Sequence, residues 1–128
     1  MVDAAEYYRK TLAHETDAWD LREMQRKGAN VVIIDARSEA AFAQEHIPGA
    51  VSFPHRKMTR ESTANLDRSA LYVTYCDGLG CNGSTKGALK LAELGFDVKE
   101  LIGGIDWWKR DGYPTELAAV EIGALSAR

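Results

Sequence analysis

The fold is decided by residues 71–84, which read LYVTYCDGLGCNGS. The first five of these residues are apolar, aromatic or β-branched, and they predict a β-strand. A glycine-rich loop begins at Cys76, and Ser84 opens a segment of helical spacing that runs to residue 94 and stops at Gly95. A strand that passes through a loop into a helix is typical of a parallel sheet, because parallel neighbours need a crossover connection.

The same alternation continues on both sides of this stretch. Residues 31–34, VVII, form a continuous apolar run, as expected of a parallel strand covered on both faces. Residues 51–53 predict a brief strand that ends at Pro54, and residues 98–102 predict another strand, followed by a short helix over residues 105–110. Strands and helices that alternate in this way predict an α/β fold with a parallel sheet.

A further helix is predicted over residues 18–27, where acidic residues come early and basic residues late, and where Gly28 supplies the stop. Residues 16–17 offer the N-cap side chains. We expect Trp19 and residues 21–24 to face the core.

A shorter helix is predicted over residues 39–44, with Ser38 as its cap. Residues 55–70 carry several basic side chains among Ser, Thr and Asn without a sustained apolar period, and they predict a loop with one helical turn. Residues 116–128 form a tail that we expect to be helical.

Length and charge narrow the class of protein. The chain has 128 residues, 45% of them hydrophobic, which suits one domain over residues 1–128 with its own core. The net charge of -3 provides no overall positive field, so we expect no nucleic-acid partner. The first residues lack the apolar run of a signal peptide, and no stretch reaches transmembrane length, so we expect a cytoplasmic protein with no membrane partner.

The two cysteines, Cys76 and Cys81, lie five positions apart in the glycine-rich loop. A cross-link that closes so short a loop restrains little chain, so the pair is better interpreted as chemistry than as a staple. Cys76 leaves a strand and precedes the start of a helix, where backbone N–H groups and the helix dipole favour a thiolate. A buried structural cysteine is the alternative, but three glycines within the next seven residues favour a nucleophile at Cys76.

A second polar segment, Asp35-Ala36-Arg37, follows the strand predicted at residues 31–34. Ligands of open α/β sheets bind at the carboxyl ends of strands. We therefore expect this segment and the loop that starts at Cys76 to meet near one pocket.

Several short motifs, taken in order, resemble the rhodanese superfamily over residues 16–115. The motifs are Ile33-Ile34-Asp35-Ala36-Arg37, Phe42 with His46-Ile47-Pro48-Gly49-Ala50, Tyr75-Cys76, Leu101-Ile102-Gly103-Gly104, and Trp108 with Gly112-Tyr113-Pro114. The resemblance implies a three-layer α/β/α fold with a five-stranded parallel sheet.

The resemblance also implies a sulfurtransferase that works through a persulfide on Cys76, without a cofactor. A small sulfur donor such as a persulfide, polysulfide or thiosulfate would load Cys76, and cyanide or an acceptor thiol, from thioredoxin, glutathione or another protein, would unload it. By the same resemblance, Asp35 and Arg37 form a structural pair, and His46 fixes a turn set by Pro48 and Gly49.

The active-site loop departs from the common pattern of that family in its length. The implied loop residues are Asp77, Gly78, Leu79, Gly80, Cys81, Asn82, Gly83 and Ser84. Ser84 follows Cys76 by eight positions, whereas the family pattern places this serine six positions after the cysteine. The extra length introduces Cys81, which is either a resolving cysteine, an alternative nucleophile or a passive residue.

The loop also departs from the family in its charge. It contains Asp77 but neither Arg nor Lys, so we expect the dianion thiosulfate to be a mediocre donor. Lys86, His55 and Arg56 are the candidate anion contacts, with Lys57 and Arg60 nearby in sequence; a solvated basic loop is the alternative.

Two other activities are considered for the cysteines. A phosphatase or arsenate reductase of similar fold would need an Arg to bind the oxyanion, and none occurs between Cys76 and Arg110. A non-catalytic, redox-sensing module would use a reversible disulfide between Cys76 and Cys81. The histidines at positions 14, 46 and 55 lack the spacing of a closed zinc site, so no metal is expected.

Overall fold

The computed structural model describes residues 3–117, and five helices, five strands and one 3-10 turn occur within them. Their order is α1 Ala4–His14, β1 Glu15–Thr16, α2 Ala18–Arg26, β2 Val31–Asp35, α3 Glu39–Gln44, β3 Val51–Ser52, the turn His55–Lys57, β4 Leu71–Tyr75, α4 Gly83–Glu93, β5 Asp97–Leu101 and α5 Gly104–Arg110. Within residues 3–117, no helix has the length and apolar character needed to cross a bilayer.

The five strands form a single parallel sheet in the order β1-β5-β4-β2-β3. β4 lies at the centre, and its register places Tyr75 opposite Asp35 of β2. The carboxyl ends of these two strands therefore lie side by side, with Cys76 immediately beyond one of them. The predicted parallel α/β fold is confirmed.

Helices cover both faces of the sheet, which makes three layers. One core cluster lies between the sheet and helices α2 and α5, and its largest members are Leu21, Ile47, Val73, Tyr75 and Trp108. A second cluster lies on the opposite face below α4, and it consists of Ile34, Met58, Ala70, Tyr72, Leu91 and Phe96. Alternate residues of β4 enter the two clusters, which explains why this strand is apolar on both sides.

The orientation predicted for Trp19 is wrong. Its side chain is 60% exposed, whereas Leu21 is fully buried and Met24 packs partly against the core. Ala18 and Leu21, three positions apart, occupy the inner side of α2. Trp19 follows Ala18 by one position, or roughly 100° of helical rotation, and so points toward solvent.

The N-terminal helix α1 and the two-residue strand β1 were not predicted from the sequence. Asp3 caps α1 by accepting a hydrogen bond from the Glu6 N–H, and none of the helix's residues is buried. The large apolar side chains of α1, Tyr7, Tyr8 and Leu12, are exposed, so they do not mark a face that packs on the core. Of the tail predicted to be helical, residues 118–128 lie outside the described part of the chain.

Candidate active site

Cys76 is the first residue after β4, and it is 3% exposed. Its sulfur lies against the first residue of α4, since a Cβ added to Gly83 would stand 3.4 Å from Cys76 Sγ and 3.7 Å from Cys81 Sγ. No side chain caps α4 at Asn82. Both sulfurs are thus placed at a helix N-terminus, where the dipole stabilises negative charge.

Helix α5 holds the backbone of Cys76 from the other side. The N–H of Ile105 donates to the carbonyl oxygen of Cys76 at 3.0 Å, and the N–H of Asp106 donates to that of Asp77 at 2.9 Å. Gly104 lies directly against these carbonyls with φ +57°, and a Cβ there would overlap the Cys76 oxygen. The close approach of α5 to the loop therefore depends on glycine at this position.

Cys76 and Cys81 are joined by a disulfide, with their Cα atoms 6.1 Å apart. The loop turns back between them, because the N–H of Cys81 donates to the Gly78 carbonyl oxygen at 3.2 Å. Cys76 is buried, Cys81 is half-buried, and Leu79 at the tip is 70% exposed. Cys81 is therefore the more exposed residue of the pair.

Two clefts border this pair of cysteines on opposite sides of the loop. The Arg56 cleft, of about 320 Å³, is lined by Arg37, His55, Arg56, Asp77 and both cysteines, among others. The Glu100 cleft, of about 310 Å³, is lined by Glu15, Leu79, Thr85, Glu100 and both cysteines, among others. The predicted meeting of the Asp35-Ala36-Arg37 segment with the cysteine loop is confirmed by the Arg56 cleft, which Ala36 also lines.

Arg37 and Asp35 form a buried ion pair beneath the Arg56 cleft. Arg37 Nη2 lies 2.7 Å from Asp35 Oδ2, and it also donates to the carbonyl oxygen of Glu45. Burial acts to lower the pKa of Arg37, but the hydrogen bonds and charge of Asp35 outweigh burial and raise this pKa above its ordinary value. Arg37 Nη1 also lies 3.3 Å from Asp77 Oδ1. The guanidinium is therefore paired with two carboxylates of the protein, and little of its positive charge is left to attract a ligand.

Tyr75 completes this network from β4. Its hydroxyl donates to Asp35 Oδ2 at 2.8 Å and accepts from the N–H of Ile47 at 3.1 Å. Burial and the charge of Asp35 raise the pKa of Tyr75 above its usual range, which keeps the hydroxyl proton in place as a donor. The two strand ends and the segment after α3 are thereby fixed to one another.

The candidate anion contacts differ in their placement. Arg56 is exposed and lines the Arg56 cleft, and His55 lines it too. Burial, followed by the charges of Lys90, Lys86 and Arg56, lowers the pKa of His55, so this side chain is neutral at pH 7.

Two other basic side chains are less suited to contact an anion in the cleft. Lys86 lies near enough to affect His55, but it lines neither of the two clefts at the cysteines. Lys57 pairs with Glu39. Arg56 is therefore the lining cation that has no carboxylate partner among the described residues.

His46 is buried, lines neither cleft at the cysteines and participates in local structure. Its ring stacks on Phe42, with ring centroids 3.8 Å apart, and Nδ1 lies 2.9 Å from the Phe42 carbonyl oxygen. The backbone of His46 pairs with Glu116 through two hydrogen bonds of 2.9 Å each. The ring stack and this backbone bridge fix the segment that contains Pro48 and Gly49.

Among the described residues, one group with the donor set for a metal ion occurs at the loop. The ligand atoms of Cys76, Asp77 and Cys81 lie within 4.8 Å of one another. Two of these three atoms are bonded to each other in the disulfide, and a disulfide sulfur lacks the thiolate charge that binds soft metals. The donor set therefore does not fit a metal in this oxidation state.

Comparison with known proteins agrees with this geometry. The family model of the rhodanese-like domain matches residues 17–111. The chain belongs to the rhodanese-like family. The BH2092 protein from Bacillus halodurans is 42% identical in sequence to this chain, and the match covers 89% of this chain and 84% of that one. Its crystal structure superposes with a TM-score of 0.86.

Two curated relatives of the rhodanese-like domain have different names. The thiosulfate sulfurtransferase GlpE of Coxiella burnetii is 32% identical over 102 residues, which are 78% of this chain and 87% of that protein. The HTH-type transcriptional regulator Rv0324 of Mycobacterium tuberculosis is 27% identical over 95 residues, and the match spans only 42% of its length. Family membership is therefore shared by proteins of different roles.

Sequence reasoning missed three parts of the site. It placed the Asp35-Ala36-Arg37 segment near the cysteine loop but did not find the ion pair between Arg37 and Asp77, which lie 40 positions apart in the chain. It did not find that α5 holds the carbonyls of Cys76 and Asp77, which the Gly103-Gly104 pair could have indicated. Glu100, which accepts hydrogen bonds of 2.7 Å from Ser84 and Thr85, lies on β5 and had no local signal.

Proposed function

We propose that this rhodanese-like domain is a sulfurtransferase whose nucleophile is the Cys76 thiolate. The thiolate attacks the outer sulfur of a persulfide donor R–S–SH, the sulfur–sulfur bond of the donor breaks, and R–S⁻ leaves. The product is a Cys76 persulfide, Cys76–S–SH, which an acceptor then unloads. The pair must first be reduced, because Cys76 is held in a disulfide in the oxidised protein.

The observation that carries this proposal is the position of the Cys76 sulfur. It lies at the first turn of α4, next to Gly83, and at the border of two clefts. A helix N-terminus stabilises both the thiolate and an anionic persulfide. Glycine at position 83 leaves room beside the sulfur, as an added sulfur atom requires. The named activity of the GlpE relative supports the same reaction class.

The charge of the Arg56 cleft favours a persulfide or polysulfide donor over thiosulfate. Arg37 is paired with Asp35 and Asp77, and His55 is neutral at pH 7, which leaves Arg56 to attract the donor. A dianion gains less from one exposed cation than from a cluster, and it is repelled by Asp77. Thiosulfate is therefore proposed as the weaker donor.

Cyanide, or a thiol from thioredoxin, glutathione or another protein, is proposed as the acceptor. Such thiols and the reducing conditions of the cytoplasm would also keep Cys76 and Cys81 available for the next cycle. We therefore place the reaction in the cytoplasm.

A redox-sensing module is a second candidate function, and the disulfide between Cys76 and Cys81 favours it. In that role the pair would change partner affinity without carrying sulfur. The two functions differ in one observable, which is whether the reduced protein takes up a sulfur atom from a donor.

The test uses the full chain after reduction and removal of the reductant. Reduced Cys81→Ser and Cys76→Ser variants are incubated with glutathione persulfide or thiosulfate, and intact mass spectrometry follows. We expect Cys81→Ser to gain the mass of one sulfur atom and Cys76→Ser to gain none. Uptake by Cys76→Ser alone would move the nucleophile to Cys81, and no uptake by either variant or by the wild type would refute the sulfurtransferase.

A further inference from the structure

We propose that Cys81 resolves the Cys76 persulfide, so that the domain releases hydrosulfide and is then reduced by a protein dithiol. The Cys81 thiolate attacks Cys76 Sγ, the bond between Cys76 Sγ and the transferred sulfur breaks, and HS⁻ leaves. The Cys76–Cys81 disulfide that forms is the one in the structure. This inference rests on the proposed function, because it needs the persulfide on Cys76.

The loop brings the two sulfurs to one place. The turn between Gly78 and Cys81 folds the chain back, and both sulfurs lie within 4 Å of the same point beside Gly83. A neighbouring thiol held in this way reacts at an effective concentration that a dissolved thiol does not reach. Cys81 therefore competes effectively with an external acceptor for the persulfide.

Of the two possible attacks on the persulfide, only one leads to a disulfide between Cys76 and Cys81. Attack of Cys81 on the outer sulfur would move the sulfur to Cys81 and leave Cys76 as a thiolate, with no bond between the two cysteines. Attack on the inner sulfur, Cys76 Sγ, gives the observed disulfide and expels hydrosulfide. The oxidised loop therefore has the structure of the product of the second route.

The burial of the two cysteines directs the reduction that follows. Cys76 is 3% exposed, whereas Cys81 is half-buried and lies next to a loop tip with an exposed Leu79. An incoming thiolate therefore reaches Cys81 Sγ, and Cys76 is the leaving group. The first turn of α4 lies beside both sulfurs and stabilises the Cys76 thiolate as it leaves, so the difference in burial sets the direction.

The reductant must supply two electrons, and a protein dithiol of the thioredoxin type does so. Its first thiolate forms a mixed disulfide with Cys81, and its second thiol releases Cys81 as it forms the reductant's own disulfide. The net reaction consumes R–S–SH and a dithiol and yields R–SH, H₂S and the oxidised reductant. When Cys81 rather than an external acceptor unloads the persulfide, the Cys76 site acts as a persulfide reductase that regenerates its thiolate.

The first experiment is a single turnover of the reduced full chain with one equivalent of glutathione persulfide and no other thiol. Wild type should release about one equivalent of sulfide and form the Cys76–Cys81 disulfide. Cys81→Ser should retain the sulfur on Cys76 and release about tenfold less sulfide. With cyanide added, Cys81→Ser should still form thiocyanate, which tests the sulfurtransferase separately.

Other results of this experiment would contradict either the resolving role of Cys81 or the proposed function. Sulfide release that is equal in wild type and Cys81→Ser, or a stable Cys76 persulfide in wild type, would overturn the resolving role and leave the sulfurtransferase intact. Sulfur on Cys81 in wild type would also overturn it, because the outer sulfur would then be the one attacked. A lack of both sulfur uptake and thiocyanate in every form would refute the proposed function itself.

The second experiment traps the reductant on the oxidised wild-type protein. The probe is a thioredoxin whose second active-site cysteine is replaced by Ser, so that the mixed disulfide persists. Peptide mapping should find the probe on Cys81. A probe bound to Cys76, or none bound under conditions that reduce a model disulfide, would overturn the assigned path of reduction.

Discussion

The Tyr75 hydroxyl donates a 2.8 Å hydrogen bond to Asp35 Oδ2, and these two residues end the adjacent strands β4 and β2. Because Cys76 follows Tyr75 directly, this bond fixes the point at which the chain leaves the sheet at Cys76. The same hydroxyl accepts from the Ile47 N–H. The Tyr75 hydroxyl thereby connects three segments that meet below the loop that begins at Cys76.

Replacement of this hydroxyl should be costly. Tyr75→Phe leaves the N–H of Ile47 without its buried acceptor and removes one donor from Asp35, so we expect a loss of about 1–3 kcal/mol in the free energy of unfolding. Tyr72→Phe is the matched control in the same strand, because it removes one bond, to the Asp67 carbonyl oxygen. Urea unfolding measures the free energy of unfolding of both variants. A loss in Tyr72→Phe as large as the loss in Tyr75→Phe would contradict the assigned role of the network.

Gly104 should tolerate no side chain. A Cβ at Gly104 would overlap the Cys76 carbonyl oxygen and lie 2.9 Å from that of Asp77, so Gly104→Ala must push α5 away from the loop. Gly112→Ala is the control, since Gly112 also has a positive φ, +85°, but no atom within 4 Å of the added Cβ.

The two glycine variants separate backbone strain from loss of the contact between α5 and the loop. Gly112→Ala should lose about 1–2 kcal/mol in the free energy of unfolding, because alanine is strained in the left-handed conformation. Gly104→Ala should lose more than this and should also slow sulfur uptake at Cys76. Urea unfolding and uptake rates of the reduced proteins give the two readouts. Similar values for the two variants in both readouts would argue against a role of α5 in the site.

The charge of the Arg56 cleft should set the choice of donor. Asp77→Asn removes a carboxylate at the cleft and releases Arg37 Nη1, so we expect kcat/KM for thiosulfate to rise roughly three- to tenfold, an effect of about 1 kcal/mol. Arg56→Ala should lower it by a similar factor. Asp97→Asn, with the same chemical change at the opposite end of the sheet, is the control.

The salt dependence of the thiosulfate reaction checks the electrostatic cause. An exposed cation such as Arg56 is screened by added salt, so the advantage of Asp77→Asn over wild type should shrink as ionic strength rises. A gain that is independent of salt, or one that Asp97→Asn reproduces, would point away from a local charge effect.

Because of Glu45, the free energy of unfolding should depend on pH below neutrality. A hydrogen bond from Lys109, with a smaller contribution from Thr115, lowers the pKa of Glu45 below its ordinary value of 4.5. A lowered carboxyl pKa adds stability that is fully present above the unfolded-state value and is lost as the pH falls through the folded-state value. The difference in the free energy of unfolding between wild type and Glu45→Gln should therefore shrink with acidification.

Thermal unfolding at a series of pH values below neutrality checks this prediction. In a Lys109→Met background the pH-dependent difference should be smaller, because the partner that contributes most to the lowered pKa is gone. A difference between wild type and Glu45→Gln that stays constant or grows as the pH falls would refute the assigned linkage.

The central part of the fold was predictable because its residues obey one simple pattern. β2 and β4 are apolar on both faces, α4 has a buried stripe, and the residue types alone place Cys76 between a strand and a helix. α3 was predicted with its bounds and its Ser38 cap, which the structure confirms. In these segments local preference and tertiary packing agree.

The rest depends on contacts between residues distant in sequence. α1 buries no side chain and Trp19 lies outside the inner face of α2, so apolar residues there do not report on the core. The sequence spacing of Cys76 and Cys81 permits several roles, and the approach of both sulfurs to Gly83 follows only from the turn of the loop. Likewise, the pairing of Arg37 with Asp77 spans 40 positions of the chain.

The pairing of Glu116 with His46 bears on how the folding unit is delimited. The rhodanese-like family match ends at residue 111, yet Glu116 makes two backbone bonds to His46, and its carboxylate accepts from the N–H of Gly49. A fragment cut at the end of the family match would keep every strand but would lose the hydrogen bonds of Glu116 that hold the His46 segment in place. Excision, fusion or domain exchange should therefore carry the chain past residue 116.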